Sequence, residues 1–346
     1  MAKVLFLRGA LVLLVLFGLA GCGKEVEQAQ FRYSGLAMGT SFTIKAARLP
    51  KQVRQEELKD SVDRAILAVD RSMSTYRPDS ELSRFNRAQT TAWFPVSGDL
   101  AGVVADALAV SRWSDGAYDV TVGPLVNLWG FGPDPRIRKA PEPELVSAAM
   151  GRVGYQKLEV RSDPPALSKH QPDLYVDLSS IAKGFAVDKV AETLEIRGIH
   201  DYMVEIGGEL RLRGESARGG RWRIAIEKPV PQVREVEKVL SLTDIALATS
   251  GDYRNYFEAE GKRFSHTIDP RTGRPIAHRL ASVTVLSHTT MHADALATAL
   301  MVLGPREGFA KAQRDGIMAL FIIKQDQGFI ERPTSAFLRY LQGGAS

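Results

Sequence analysis

Three short segments of this chain carry residue types that could move a phosphoryl group. The densest is Val176-Asp177-Leu178-Ser179-Ser180-Ile181-Ala182-Lys183-Gly184. Its pattern predicts a strand running into a helix, with Ser179 or Ser180 as the cap. The first N–H groups of such a helix lack internal partners and attract phosphate. Lys183 would sit in the first turn, where the helix dipole disfavours a cation. A lysine kept against that preference points to an anion nearby; a solvated lysine on a capped helix is the alternative. In the second segment, Asp294 and Thr298 stand four apart in a predicted helix and share a face. A carboxylate beside a hydroxyl suits a hard cation such as Mg²⁺, which takes few protein ligands and completes its shell with water and phosphate. Standing alone, the pair reads better as a helix-start acid favoured by the dipole and a back-bonding threonine. The third segment joins Ala248-Thr249-Ser250-Gly251-Asp252-Tyr253 to Ser265-His266-Thr267-Ile268-Asp269-Pro270-Arg271-Thr272-Gly273. Asp-Pro-x-Thr-Gly is turn chemistry. His266, just before it, has the titration range of a general base or serves as a structural hydrogen-bonder.

Two glycine-bounded segments add binding surface. Glu205-Ile206-Gly207-Gly208-Glu209 lets backbone approach a ligand or another strand closely. Gly116 to Leu125 sets Tyr118 beside Asp119, where a flavin ring could pack, although Tyr118 as core is the plainer reading. The remaining histidines, at 170, 200, 278, 288 and 292, lack the spacing of a zinc site.

The elements that must position these residues follow from periodicity. Phe31 to Ala46 alternates around a turn-like Gly35 and predicts a strand or a hairpin. Helical spacing covers Glu56 to Ser72, Asp99 to Trp113, Ile181 to Arg197 (ended by Gly198) and Asp294 to Leu303 (ended by Gly304). Leu174 to Leu178, Trp222 to Glu227, Ser282 to Leu286 and Ile317 to Lys324 read as strands. Ser74 to Arg87, Pro133 to Pro143 and Ser162 to Pro172 read as loops. The mixture predicts an α+β fold with mostly antiparallel sheets.

The chain opens with Lys3 and Arg8 and then the apolar run Ala10 to Leu19, the layout of a secretory signal and too short to span a bilayer. It ends in Leu19-Ala20-Gly21-Cys22, which resembles a bacterial lipobox. That resemblance implies removal of residues 1–21, lipidation of Cys22, a tether over 22–30 and a single domain over 31–346. The product would be anchored in the cell envelope and face the periplasm, on the outer or the inner membrane; Gly23 leans towards the outer one. Cys22 is the only cysteine, so its lipidation would leave no thiol and exclude disulfides, thiolate nucleophiles and Cys-ligated zinc. More than 300 residues remain to build a core. A net charge of +5, spread without basic blocks, does not suggest a nucleic-acid partner.

Taken together, the segments resemble the FAD:protein FMN transferase (ApbE) family. The likeness runs from Met38-Gly39-Thr40 through Met73 to Arg77, Gly116 to Gly130, Asp177 to Asp188, Glu205 to Glu209, Ala248 to Tyr253 and Ser265 to Pro275. It ends at Asp294 to Thr298. It implies a T-fold-like body of two related α+β halves with FAD in the cleft between them. It also implies transfer of FMN from FAD to a Ser or Thr of a target protein, with AMP released. The implied targets are subunits of membrane redox complexes. Met38, Tyr76, Ala117, Tyr118, Asp119, Asp177, Lys183 and Ile268 would contact the flavin nucleotide. Ser180, Asp294 and Thr298 would hold Mg²⁺ or Mn²⁺, with a backbone carbonyl as the alternative to the Ser180 hydroxyl. His266 would be the base, Asp294 the competing candidate, and Lys183 would stabilise charge. An FAD pyrophosphatase and a non-catalytic flavin-binding lipoprotein remain the alternative readings.

Overall fold

Residues 31–46 alternate in burial and form a hairpin, Phe31–Ala37 against Thr40–Ala46. Its turn is not at Gly35 but at Met38-Gly39, where φ is +51° and +74°. Left-handed values at both positions match the twist of a tight hairpin. Gly35 lies within the first strand because a Cβ there would stand 2.8 Å from the Phe42 ring. The computed structural model describes residues 30–132, 139–230, 235–252, 256–259 and 262–343. The expected leader, Cys22, almost all of the tether, part of the 133–143 connector and Tyr253 lie outside the described residues.

The main sheet has eight strands, antiparallel at every neighbour and ordered as they occur in the chain. After the first hairpin come Tyr202–Ile206, Glu209–Arg213, Ile245–Gly251, Leu280–Ser287, Met318–Lys324 and Phe329–Pro333. The order splits into two similar halves. In each, two strands lead through a helix to two more. The helix is Ala182–Ile196 in the first half and Thr290–Arg314 in the second. The halves join where Glu209–Arg213 pairs with Ile245–Gly251. This is the expected α+β fold of two related halves.

Both sheet faces are covered. Helices pack Ile44, Val204, Ile206, Val283 and Val285 into the larger core. The opposite face packs Leu210, Leu212, Leu247 and Leu320 against hairpin Trp222–Glu227/Val236–Leu242 and against Phe337 of the C-terminal helix Ser335–Gly343. A strand buried on both faces reads as a continuous apolar run, and Leu280–Ser287 is buried at every position but the last. The first half carries a long insertion with helices Gln55–Met73, Glu81–Arg87 and Gly98–Trp113 and a three-stranded sheet.

Several expectations need correction. Leu174 to Leu178 is extended but joins no sheet. The Asn86 amide takes the place of a neighbouring strand, accepting from Val176 N–H at 2.9 Å and donating to Val176 C=O at 2.8 Å. The Ser74 to Arg87 loop contains helix Glu81–Arg87, started by the Ser80 hydroxyl, which accepts from Ser83 N–H. Ser162 to Pro172 contains strand Pro165–Lys169. Gly304, by contrast, ends the first helical stretch as expected: its φ of +78° is not helical, and Pro305 opens a second stretch that runs to Arg314.

Candidate active site

The two crossover helices meet at Gly184. A Cβ there would fall 2.5 Å from the Thr290 carbonyl oxygen, so only glycine allows the contact. Asp188, one turn further along, accepts from the N–H groups of Thr290 and Met291 at 3.0 and 2.9 Å. The start of one helix is thus tied to the side of the other. This crossing turns Asp294 toward the first helix, where its Oδ2 accepts from Gly184 N–H at 3.1 Å.

Neither Ser179 nor Ser180 caps helix Ala182–Ile196, which has no side-chain cap. Asp177 Oδ1 makes the turn instead, accepting from Ser179 N–H at 2.8 Å. The Ser180 hydroxyl pairs with the Tyr118 hydroxyl at 3.1 Å. Lys183 lies in the first helical turn, as expected. Its Nζ donates to Glu209 Oε1 at 2.8 Å and stands 3.9 Å from Asp294 Oδ2.

This triad, two buried carboxylates and a half-buried lysine, sets the electrostatics. Glu209 is 4% exposed and Asp294 6%. Burial pushes the Asp294 carboxyl up; the Lys183 charge and Gly184 N–H pull it down and Glu209 pushes it up again, leaving it at about 7. Burial alone would lower Lys183, but Asp294 and Glu209 overcome it and hold the ammonium well above its ordinary value. With every member ionised, one cation faces two carboxylates. Glu209 Oε2 is buried with no hydrogen-bond partner. An excess of buried negative charge beside an orphaned oxygen suits a cation. The Gly207-Gly208 turn packs against the Glu209 carboxylate, whose Oε2 would stand 3.2 Å from a Cβ on Gly207. Both glycines have positive φ, and a Cβ on Gly207 would meet Thr40 at 2.9 Å and Lys183 Cδ at 3.3 Å.

The triad borders a cavity of about 950 Å³ between the halves. Ala117, Tyr118, Asp119, Asp177, Ser180, Lys183, His266, Ile268, Asp294 and Thr298 all line it. Tyr118 is buried, which pushes its hydroxyl pKa far up. Asp119 is raised by burial, against the hydrogen bonds its carboxylate accepts from Thr121 and from Tyr155 N–H. Those bonds hold the 116–125 loop in shape. Two expected contacts are not among the lining residues. Met38 occupies the hairpin turn next to Thr40, which does line the cavity. Tyr76 is 69% exposed; what burial it has and the Asp177 charge raise its hydroxyl.

His266 belongs to a different wall. The Asp269 turn behind it is as expected: Asp269 C=O accepts from Gly273 N–H at 2.8 Å and its carboxylate accepts from Arg271. Trp129 Nε1 donates to Gly273 C=O at 2.9 Å, and Trp129, Phe131, Phe257 and Phe264 form a separate aromatic cluster. The His266 ring meets Phe131 edge-on at 6.3 Å.

Oxygen donors at Asp294, Thr298 and Ser180 fit Mg²⁺, which needs few protein ligands. Among the described residues, no three His, Cys, Asp or Glu side chains group as a metal site of their own. Sequence reading missed Glu209 as the partner of Lys183 and Asp188 as the clamp between helices. Their signals were an acid directly after Gly-Gly and an acid one helical turn beyond Gly184. It also missed the part that strand Trp222–Glu227 plays in the cavity wall.

The ApbE family profile matches residues 38–321. A protein of Vibrio cholerae serotype O1 named FAD:protein FMN transferase is 49% identical over 323 residues, covering 93% of this chain and 96% of its own length. Its namesake in Haemophilus influenzae is 45% identical, over 95% and 96%. Among solved structures, flavin transferase ApbE from Vibrio cholerae superposes with a TM-score of 0.83 at 48% identity, over 89% of this chain and 98% of that one. The apo flavinyl transferase ApbE of Pseudomonas stutzeri gives 0.82 at 43%, over 90% and 96%.

Proposed function

The chain belongs to the ApbE family, and from that premise we propose that it transfers FMN from FAD to a Ser or Thr hydroxyl of a target flavoprotein and releases AMP. The observation that carries this reading is the Lys183–Glu209–Asp294 triad, two buried carboxylates around a half-buried ammonium, placed on one wall of a cavity large enough for a dinucleotide.

In the reaction, the acceptor oxygen attacks the FMN phosphorus. A new O–P bond forms and the bond to the AMP phosphate breaks. AMP leaves with that electron pair, and the acceptor proton passes to a base. His266 is the base in this reading, because it sits on the wall that carries no phosphate-site charge; Asp294 is the competitor. Lys183 holds a proton-rich ammonium toward the phosphates, fixed by Glu209. Asp294, Thr298 and Ser180 hold Mg²⁺, Mn²⁺ being the related alternative. When bound, that ion neutralises phosphate charge and favours in-line attack. Ala117, Tyr118, Asp119, Asp177 and Ile268 bind the flavin nucleotide, with Met38 and Tyr76 at its outer edge.

The amino-terminal features support a lipid anchor at Cys22 in the bacterial envelope, with the domain facing the periplasm. No helix among the described residues is long and apolar enough to cross a membrane. Cys22→Ser is expected to release the protein from membranes with its activity retained; integral fractionation of that variant would refute the anchor. Activity is tested by incubating the protein with FAD, Mg²⁺ and an unflavinylated subunit of a membrane redox complex. Covalent flavin on a Ser or Thr, matched by AMP, is expected. AMP without covalent flavin would make the enzyme an FAD pyrophosphatase, and neither product would leave a flavin-binding lipoprotein.

A further inference from the structure

Strand Glu209–Arg213 turns three alternate side chains, Glu209, Arg211 and Arg213, toward helix Ala182–Ile196, while Leu210 and Leu212 pack into the opposite core. Each of the three meets an opposite charge on that helix. Glu209 pairs with Lys183 at 2.8 Å, Arg211 with Asp188 at 3.2 Å and Arg213 with Glu195 at 3.1 Å. Arg211 also reaches Glu195, at 3.3 Å. Strand and helix are thus joined by a ladder of ion pairs. Its first rung belongs to the proposed site and its last lies at the far end of the helix. The middle rung differs from both, because Asp188 has partners on two sides. Its Oδ1 accepts from Arg211 and from Thr290 N–H, and its Oδ2 accepts from Met291 N–H.

The start of helix Thr290–Arg314 is held at every free donor of its first turn. Asp188 takes the first two N–H groups, and the Thr289 hydroxyl takes the third, from His292, at 3.3 Å. The Thr290 hydroxyl donates to the Leu210 carbonyl at 3.3 Å. A helix start that binds an anionic ligand leaves such N–H groups open, but here a buried carboxylate fills the place. What this helix brings to the cavity is side chains: Asp294 one turn beyond Thr290, and Thr298 one turn further. The stretch from Thr290 to Leu303 moves as a rod, so whatever fixes Thr290 and Met291 fixes both proposed ligands together. Asp188 is 5% exposed. Burial pushes its carboxyl up, and the two N–H groups and the Arg211 charge pull it back. Both of its oxygens are used as acceptors, which the ionised form serves best. We infer that Arg211 and Asp188 are positioning residues for the metal: the pair sets where Asp294 and Thr298 stand relative to Ser180 across the helix crossing, and with that the affinity for the cation.

This inference rests on the metal site of the transferase reading, and the experiment keeps the two apart. The full chain is compared as wild type, Arg211→Met, Arg211→Lys, Asp188→Asn and Arg213→Met. Mn²⁺ binding is read by electron paramagnetic resonance with FAD present and no acceptor. Steady-state transfer gives the Mg²⁺ concentration for half-maximal rate and the KM for FAD. Arg211→Met should weaken Mn²⁺ binding about tenfold and raise the half-saturating Mg²⁺ by a similar factor, with the KM for FAD changed less than about twofold. Asp188→Asn should weaken the metal at least as much, and Arg211→Lys should recover most of the loss. Arg213→Met removes the next rung of the same ladder and should leave metal affinity as in wild type, whatever it does to the melting temperature. A purely structural role would lower the melting temperature in Arg211→Met and Arg213→Met alike and leave metal affinity untouched in both. That result overturns the inference, and so does an equal loss of metal affinity in the two. If Arg211→Met does not fold, Asp188→Asn against Arg213→Met decides by the same criteria. Wild type that binds Mn²⁺ but transfers no flavin would sink the transferase reading alone, since metal affinity still reads the effect of Arg211. Wild type that binds no Mn²⁺ would sink the metal assignment, and this inference with it.

Discussion

The cavity has two unlike walls. One is the helix crossing, where Gly184, Asp188, Thr290 and Asp294 interlock and the buried Glu209 holds the half-buried Lys183. The other is a set of short hairpins around an aromatic cluster, which carries His266 on a turn. The first wall is built into the main core, so charge there is fixed by the same contacts that hold the fold. The second is a satellite, where a side chain can be changed with less consequence for the rest. This division fits a transferase that must stabilise phosphate charge on one side and admit varied polypeptides on the other.

Changes at the crossing should cost most. Asp294→Ala is expected to lower FMN transfer on the order of 10³-fold or more, by removing the strongest proposed Mg²⁺ ligand, while FAD binding is only partly lost. Excess EDTA should do the same to wild type. Full turnover by Asp294→Ala in a steady-state assay would remove the metal assignment from this wall. Next comes His266→Ala, expected to slow transfer by about 10² to 10⁴ with FAD affinity little changed. A large loss of FAD affinity, measured by calorimetry, would mean that His266 binds nucleotide and that the walls are not divided as described.

Stability should show the same asymmetry on a smaller scale. Gly184→Ala forces a Cβ against the Thr290 backbone and should cost about 1–3 kcal/mol. Trp129→Phe removes one buried hydrogen bond in the satellite and should cost about 1 kcal/mol. Chemical denaturation compares them; equal losses would erase the distinction.

The smallest effect concerns pH. In metal-free protein the Asp294 carboxyl sits at about 7, above the ordinary value of 3.8 for aspartate in the unfolded chain. The folded state then binds more protons than the unfolded one between these values, so this group's contribution to stability falls as pH rises through that window. Asp294→Asn removes the penalty. Its melting temperature should exceed that of wild type more at about pH 8 than at about pH 5. A pH-independent difference in thermal melts would show that Asp294 is not held up in this way.

Much of the fold was legible because helices such as Gln55–Met73 and strands such as Met318–Lys324 bury residues at regular spacing. Segments misread were those whose partners are side chains or turn dihedrals. Leu174 to Leu178 looked like a strand because it is extended and apolar, but Asn86, far away in the chain, satisfies its backbone. The turn at Met38-Gly39 was masked by Gly35, whose role is to make room for Phe42. At the site, Lys183 and Asp294 were visible through local motifs. Their convergence was not, since it depends on a glycine contact between helices whose meeting residues stand more than a hundred positions apart. Glu209 carried too little local signal to be paired with Lys183 across 26 residues.

The division of the cavity is tested most directly by measuring AMP release and covalent flavin side by side in Asp294→Ala and His266→Ala. Asp294→Ala should lose both products together, because phosphate charge is then uncompensated for any nucleophile. His266→Ala should lose covalent flavin while slow AMP release to water survives, because only the acceptor hydroxyl depends on the base. Equal loss of both products in His266→Ala, or transfer at the wild-type rate, would contradict the account.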